Sequence, residues 1–163
     1  MSSYQLDAKL TARLSVEAFL ADYVIALDAD RLECWPDFFT EDGVYRVITR
    51  ENIDQGLPLC VMSCKGRGML QDRISALRTA NIFEPHVYCH VLGALSLVDV
   101  TDEAIETEST FTVIRTMADG AMSIFACGRS RDRLVNGPAG LKLADRTVIL
   151  DSRQIDTLLV IPL

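Results

Sequence analysis

The chain has 163 residues, 49% of them apolar and 24% charged, and a net charge of −7 from 23 acids and 16 bases. That is enough length for one domain with a real core, spanning residues 1–163, and an ordinary balance for a globular protein. An acidic chain without a basic patch argues against a nucleic-acid partner; no run reaches the roughly 18 apolar residues of a membrane span. The segment Met1–Asp7 lacks the charged and apolar regions of a secretory signal. Cys34, Cys60, Cys64, Cys89 and Cys127 form an odd set without a disulfide framework, so reduced thiols in the cytoplasm are expected.

Val16, Phe19, Leu20, Tyr23, Val24 and Leu27 recur at steps of three and four, which predicts one apolar face of a helix. Leu6, Leu10 and Leu14 extend that face backwards, and the helix stops near Asp28-Ala29-Asp30. A short second helix over Arg31–Phe39 supplies Trp35, Phe38 and Phe39 to the core, with Pro36 as its weak point. Thr40–Gly43 reads as a turn, Val44–Arg50 as a short strand, Asn52–Gly56 as loop, and Leu57–Cys64 as a strand. After the loop Lys65–Gly68, the segment Met69–Ala80 is helical, with Leu70, Ile74 and Leu77 on one face.

The second half is β-structure. His86–Val100 is apolar on both faces, which predicts a central, covered strand, and Asp99–Glu103 is its turn. Asp119-Gly120 separates two alternating runs and predicts a two-residue type I′ hairpin. That register sets Glu108 opposite Arg131 and Glu106 opposite Arg133, each pair contributing roughly 0.2–1 kcal/mol. A one-residue slip would send the arginines to the other face, so turn and charges agree. Gly137–Gly140 is the next connection; an odd loop, setting Arg131 or Arg133 opposite Asp145, is preferred over one setting Arg131 against Arg146. Leu141–Ser152 follows as the last strand, with Gly93 and Gly128 as bulge or bend sites. Helices first and a long sheet last give an α+β fold: N-terminal helices packed on a long, curved, mostly antiparallel sheet.

Candidate chemistry is sparse. His86 and His90 lie four residues apart on a strand, roughly 13 Å, and cannot share one metal ion; hydrogen-bonded structural roles are expected. Cys60 and Cys64 are C-x₃-C rather than the C-x₂-C of zinc or redox sites, and read as buried, inert thiols. Cys89-His90 has no companion pair for an iron–sulfur site, and Gly66-x-Gly68 lacks a phosphate loop's βαβ context. Arg129, Arg131 and Arg133 line one strand face and read first as partners of Glu106 and Glu108, second as a protein contact. Asp28, Asp30, Tyr45 and His90 are the candidates for an acid–base pair inside a cone.

Three segments carry a resemblance: Phe39–Tyr45, Met69–Arg78 followed by Glu84-Pro85-His86, and Leu150–Leu159. In their order and spacing the chain resembles the small (β) subunit of Rieske non-haem iron aromatic-ring-hydroxylating dioxygenases, closest to the salicylate and terephthalate types. The resemblance implies the cone shared with nuclear transport factor 2 (an NTF2-like cone), ketosteroid isomerase and scytalone dehydratase. It implies a non-catalytic, structural subunit of a terminal oxygenase in aromatic catabolism. Assembly with other β subunits and a catalytic α subunit, typically as α₃β₃, follows from it. The Rieske [2Fe–2S] cluster, the mononuclear Fe(II) and the substrate pocket are then on the α subunit, where ferredoxin and reductase deliver electrons. No catalytic, cofactor or metal residue is expected in this chain. The alternative is a stand-alone isomerase, dehydratase or small-ligand binder, since fold analogy alone does not carry activity.

Overall fold

The computed structural model describes residues 3–80, 82–153 and 159–163, with side chains from Asp7 onward. The N-terminal periodicity forms helix α1 (Ser3–Asp28), which buries Val16, Leu20, Tyr23, Val24 and Leu27. The helix does run back past Leu14, but Leu10 and Leu14 are 54% and 57% exposed. Its first half therefore turns that stripe away from the core; the side chain of Leu6 lies outside the described residues. Asp30 takes a φ of 55°, the left-handed turn that ends the helix. Leu32–Phe38 is a 3-10 helix with Pro36 inside it and Trp35 fully buried beneath it.

Six strands follow: β1 (Phe39–Thr49), β2 (Cys60–Lys65), β3 (His86–Val100), β4 (Ile105–Met117), β5 (Met122–Gly137) and β6 (Gly140–Leu150). They form one sheet in the order β2-β1-β6-β5-β4-β3. Every neighbouring pair is antiparallel except β1 with β6, which is parallel because the chain returns from the hairpins to lie beside its first strand. Helices α1 and α3 (Arg67–Thr79) pack on one face, called inner here, and Leu70, Ile74 and Leu77 of α3 are buried there.

Several local expectations change. Thr40–Gly43 is not a turn between elements but an irregular stretch within β1, which breaks register between Phe39 and Val44. Arg50–Asp54 is a short helix, α2, because the Thr49 hydroxyl caps it by accepting from the Asn52 amide. Strand β2 begins at Cys60 rather than Leu57, and α3 begins at Arg67, directly after Gly66 with its φ of 79°. Strand β3 is not central: it is the sheet's edge, and its apolar residues on the second face are open.

The hairpins reach the expected register by an unexpected route. Gly120 has a φ of 89° while Asp119 does not enter the positive region, which excludes a type I′ turn. The Gly120 amide bonds Met117 O, the Met117 amide bonds Ala121 O, and the Asp119 carboxylate accepts from Ala121. The loop is thus Ala118–Gly120, one residue longer than expected. A bulge at Phe125 takes up that residue, and Glu108 faces Arg131 and Glu106 faces Arg133. The β5–β6 loop is the two-residue Pro138-Ala139, not an odd one; a bulge at Ala144 then sets Arg133 opposite Asp145. Gly128 marks a close approach, since a Cβ there would lie 2.0 Å from Ile149 O.

Candidate functional site

Two places could carry function: the space between helices and sheet, and the open outer face. The inner face of the sheet holds a polar row amid the core. Thr107 pairs with Asp132, Ser109 with Ser130, and Asp132 with Arg146, all buried. Arg146 Nη1 donates to Asp132 Oδ2 at 2.8 Å, and its guanidinium lies 4.5 Å from the centre of the Tyr23 ring. Burial raises the Asp132 carboxyl above its ordinary value despite Arg146. Burial is the largest influence on Arg146 and opposes its charge, but Asp132, Tyr23 and Tyr45 together outweigh it and Arg146 stays charged. Neither residue stood out in the sequence; only the bulge at Ala144, invisible there, aligns them.

Beside this pair, Trp35 Nε1 donates to Tyr23 Oη at 2.8 Å, and Tyr23 Oη donates to Leu163 O at 3.2 Å. Tyr45 Oη accepts from the Leu163 amide at 2.8 Å and donates to Leu163 O at 3.2 Å. Burial pushes both tyrosines above their ordinary value, Tyr45 furthest. Arg73 of α3 donates to Leu159 O and to Val160 O, the latter at 2.8 Å. Leu159, Val160, Ile161 and Leu163 belong to the hydrophobic core. This segment therefore packs into the core between helices and sheet. Of the resembling segment Leu150–Leu159, residues 154–158 lie outside the described residues.

The four acid–base candidates separate. Tyr45 serves that closing segment. Asp30 receives Arg78 Nη1 at 2.9 Å, and Arg78 Nε also donates to Glu33 at 2.7 Å. Asp28 and His90 do meet. His90 Nδ1 lies 2.6 Å from Asp28 Oδ1, and the His90 amide donates to Asp28 Oδ2 at 2.9 Å. With Nδ1–H on Asp28, His90 Nε2 is the basic nitrogen; it is buried and has no hydrogen-bond partner among the described residues. One carboxylate thus pins the end of α1 to β3. His86 Nδ1 is 2.7 Å from Glu84 O, apart from that pair.

Cys64 is buried and burial raises its thiol, but Cys60 is only half-buried and Cys34, Cys89 and Cys127 are exposed, so buried thiols are not the rule. Among the described residues no group of three or more His, Cys, Asp or Glu is placed to hold a metal ion. The described residues thus offer no ligand set for either iron centre that the resemblance places on the partner subunit.

The outer face divides in two. Near the β4–β5 loop, three rows cross β3, β4 and β5: Val87–Thr116–Met122, Cys89–Ile114–Ile124 and Val91–Thr112–Cys127. Val87, Met122 and Ile124 are 62–71% exposed. Further along the same strands Glu108 binds Arg131 at 2.9 Å and Arg129 at 3.5 Å, Glu106 lies 4.0 Å from Arg133, and Arg46 pairs with Asp145. An open groove of about 610 Å³ runs here between Ile53, Val98, Glu106, Glu108, Arg131 and Arg133.

Helices on one face of a mostly antiparallel six-stranded sheet, closing on a core-lined interior, define a SnoaL-like (nuclear transport factor 2-like) domain, and that family's model matches residues 8–147. The chain is 40% identical over 141 residues to the anthranilate 1,2-dioxygenase small subunit of Burkholderia cepacia, covering 86% of this chain and 88% of the relative. It is 38% identical to the terephthalate 1,2-dioxygenase terminal oxygenase component subunit beta 2 of a Comamonas species, covering 92% and 97%. A crystal structure assigned as the beta subunit of an aromatic-ring-hydroxylating dioxygenase from Novosphingobium aromaticivorans superposes with a TM-score of 0.87 at 38% identity, covering 96% and 99%. The chain belongs to the family of small (beta) subunits of aromatic-ring dioxygenases, built on the SnoaL-like domain.

Proposed function

We propose that residues 1–163 act as one domain, the non-catalytic, structural β subunit of a terminal oxygenase. It assembles with other β subunits and with a catalytic α subunit, as α₃β₃. The α subunit carries the Rieske [2Fe–2S] cluster and the mononuclear iron, and receives electrons from a ferredoxin and its reductase. The complex works in the cytoplasm; among the described residues no helix is long and apolar enough to cross a membrane.

One observation carries this reading: apolar rows lie open on the outer face while the interior is occupied by the chain itself. Open apolar rows rimmed by charge are what a docked chain covers. The arginine row supports it, since its ion pairs with Glu106 and Glu108 leave Arg131 57% exposed. Co-expression with a catalytic α subunit, followed by native mass spectrometry, tests the reading. A hexamer holding three copies of each is expected; an α subunit that assembles and turns over fully without this chain would refute it.

The alternative, a stand-alone isomerase, dehydratase or ligand binder, has the Asp28–His90 pair in its favour. Against it stands the segment Leu159–Leu163, which packs into the core between helices and sheet. Turnover of a small cyclic ketone by the isolated chain, lost in His90→Gln, is the result that would revive it.

A further inference from the structure

The segment Leu159–Leu163 is held in an unusual way for core. Among the described residues, none of its main-chain groups pairs with another main-chain group. Its polar contacts come from side chains of three separate elements: Arg73 on α3, Tyr23 on α1 and Tyr45 on β1. These grips address peptide groups rather than side chains. Arg73 takes two successive carbonyls, and Tyr45 takes both the amide and the carbonyl of one residue. The apolar side chains between them belong to the same core as Trp35, Leu70, Ile74 and Val47. The segment adds no strand, so its departure would leave all five ladders of the sheet intact.

We propose that Leu159–Leu163 is a tethered occupant of the cone, and that Arg73, Tyr23 and Tyr45 form a latent binding site for a short apolar peptide. The ligand class follows from the grips. Two guanidinium bonds to consecutive carbonyls and a hydroxyl that both accepts and donates recognise main-chain groups. The surrounding core selects apolar side chains. In the native chain the tether keeps the effective concentration of its own segment high, so a free peptide is excluded.

The test expels the segment without touching the grips. In the full chain carrying Val160→Asp and Leu163→Asp, a fluorescein-labelled Leu-Val-Ile-Pro-Leu peptide binds at least about 10-fold more tightly than to the unaltered chain. Adding Tyr45→Phe weakens that capture severalfold. Equal capture by the two chains, no capture by either, or capture that Tyr45→Phe leaves unchanged overturns the proposal. If the double variant does not fold, hydrogen exchange in the unaltered chain decides. The amides of Val160, Ile161 and Leu163 then exchange together, at least about 10-fold faster than those of Val47 and Val148 in the sheet beneath. Exchange no faster than the strands makes the segment plain core and ends the idea.

Discussion

On the inner face of the sheet Val113, Leu134, Leu143 and Val148 are fully buried under the chain's own helices and its segment Leu159–Leu163. On the outer face Val87, Met122 and Ile124, of the same chemistry and on the same sheet, are more than half exposed. The contrast shows where the chain satisfies itself and where it does not. The inner face also accommodates a buried ion pair, a costly feature that only dense surrounding structure can orient. The outer face keeps its ion pairs at the rim of the apolar rows, where each is worth little to the fold.

The sharpest way to break this comparison is to remove one inner charge. Arg146→Met leaves Asp132 buried and unpaired, and is expected to cost about 3–5 kcal/mol in urea unfolding. Pairing it with Asp132→Leu recovers most of that loss; no recovery would mean Arg146 matters through Tyr23 instead. Gly128→Ala forces a methyl against Ile149 O and costs about 1–3 kcal/mol on the same assay. Tyr45→Phe strands the Leu163 amide and costs a similar 1–3 kcal/mol, roughly. Outside, Ile124→Glu changes the unfolding free energy of the isolated chain by less than about 0.5 kcal/mol. It nevertheless abolishes co-purification with the α subunit; retained assembly would remove these rows from the interface. The smallest effect is at Glu33, whose carboxyl the Arg78 hydrogen bond and its own backbone hold below the ordinary value. A lowered folded value means stability present above the ordinary carboxylate range and lost as pH falls through the folded one. Glu33→Gln therefore lowers the melting temperature slightly near neutrality and flattens the acid limb, the two chains converging at low pH where the carboxyl is protonated.

Much of this was legible in the sequence, and the failures share a cause. The helix faces, the four long strands and the Glu108–Arg131 and Glu106–Arg133 pairs follow from periodicity and charge, which act locally. The site is different. Asp28 and His90 were visible as candidates, yet their meeting depends on how α1 crosses β3. Asp132 and Arg146 were hidden because a bulge sets their alignment, and bulges leave no clear local mark. His86–Val100 looked covered because its outer residues are apolar. A strand covered by its own chain and one awaiting another chain carry the same pattern.

The bulges at Phe125 and Ala144 have a consequence for comparing relatives. Each lies several residues from its loop and offsets the phase that loop imposes. A relative could lose one loop residue together with the bulge and keep every ion pair on the outer face. An alignment would record the gap at the loop alone, while the compensating change sits within a strand and shows no gap at all. Apparent indels around Ala118–Gly120 and Pro138-Ala139 are therefore best judged by whether the downstream charges still face one another.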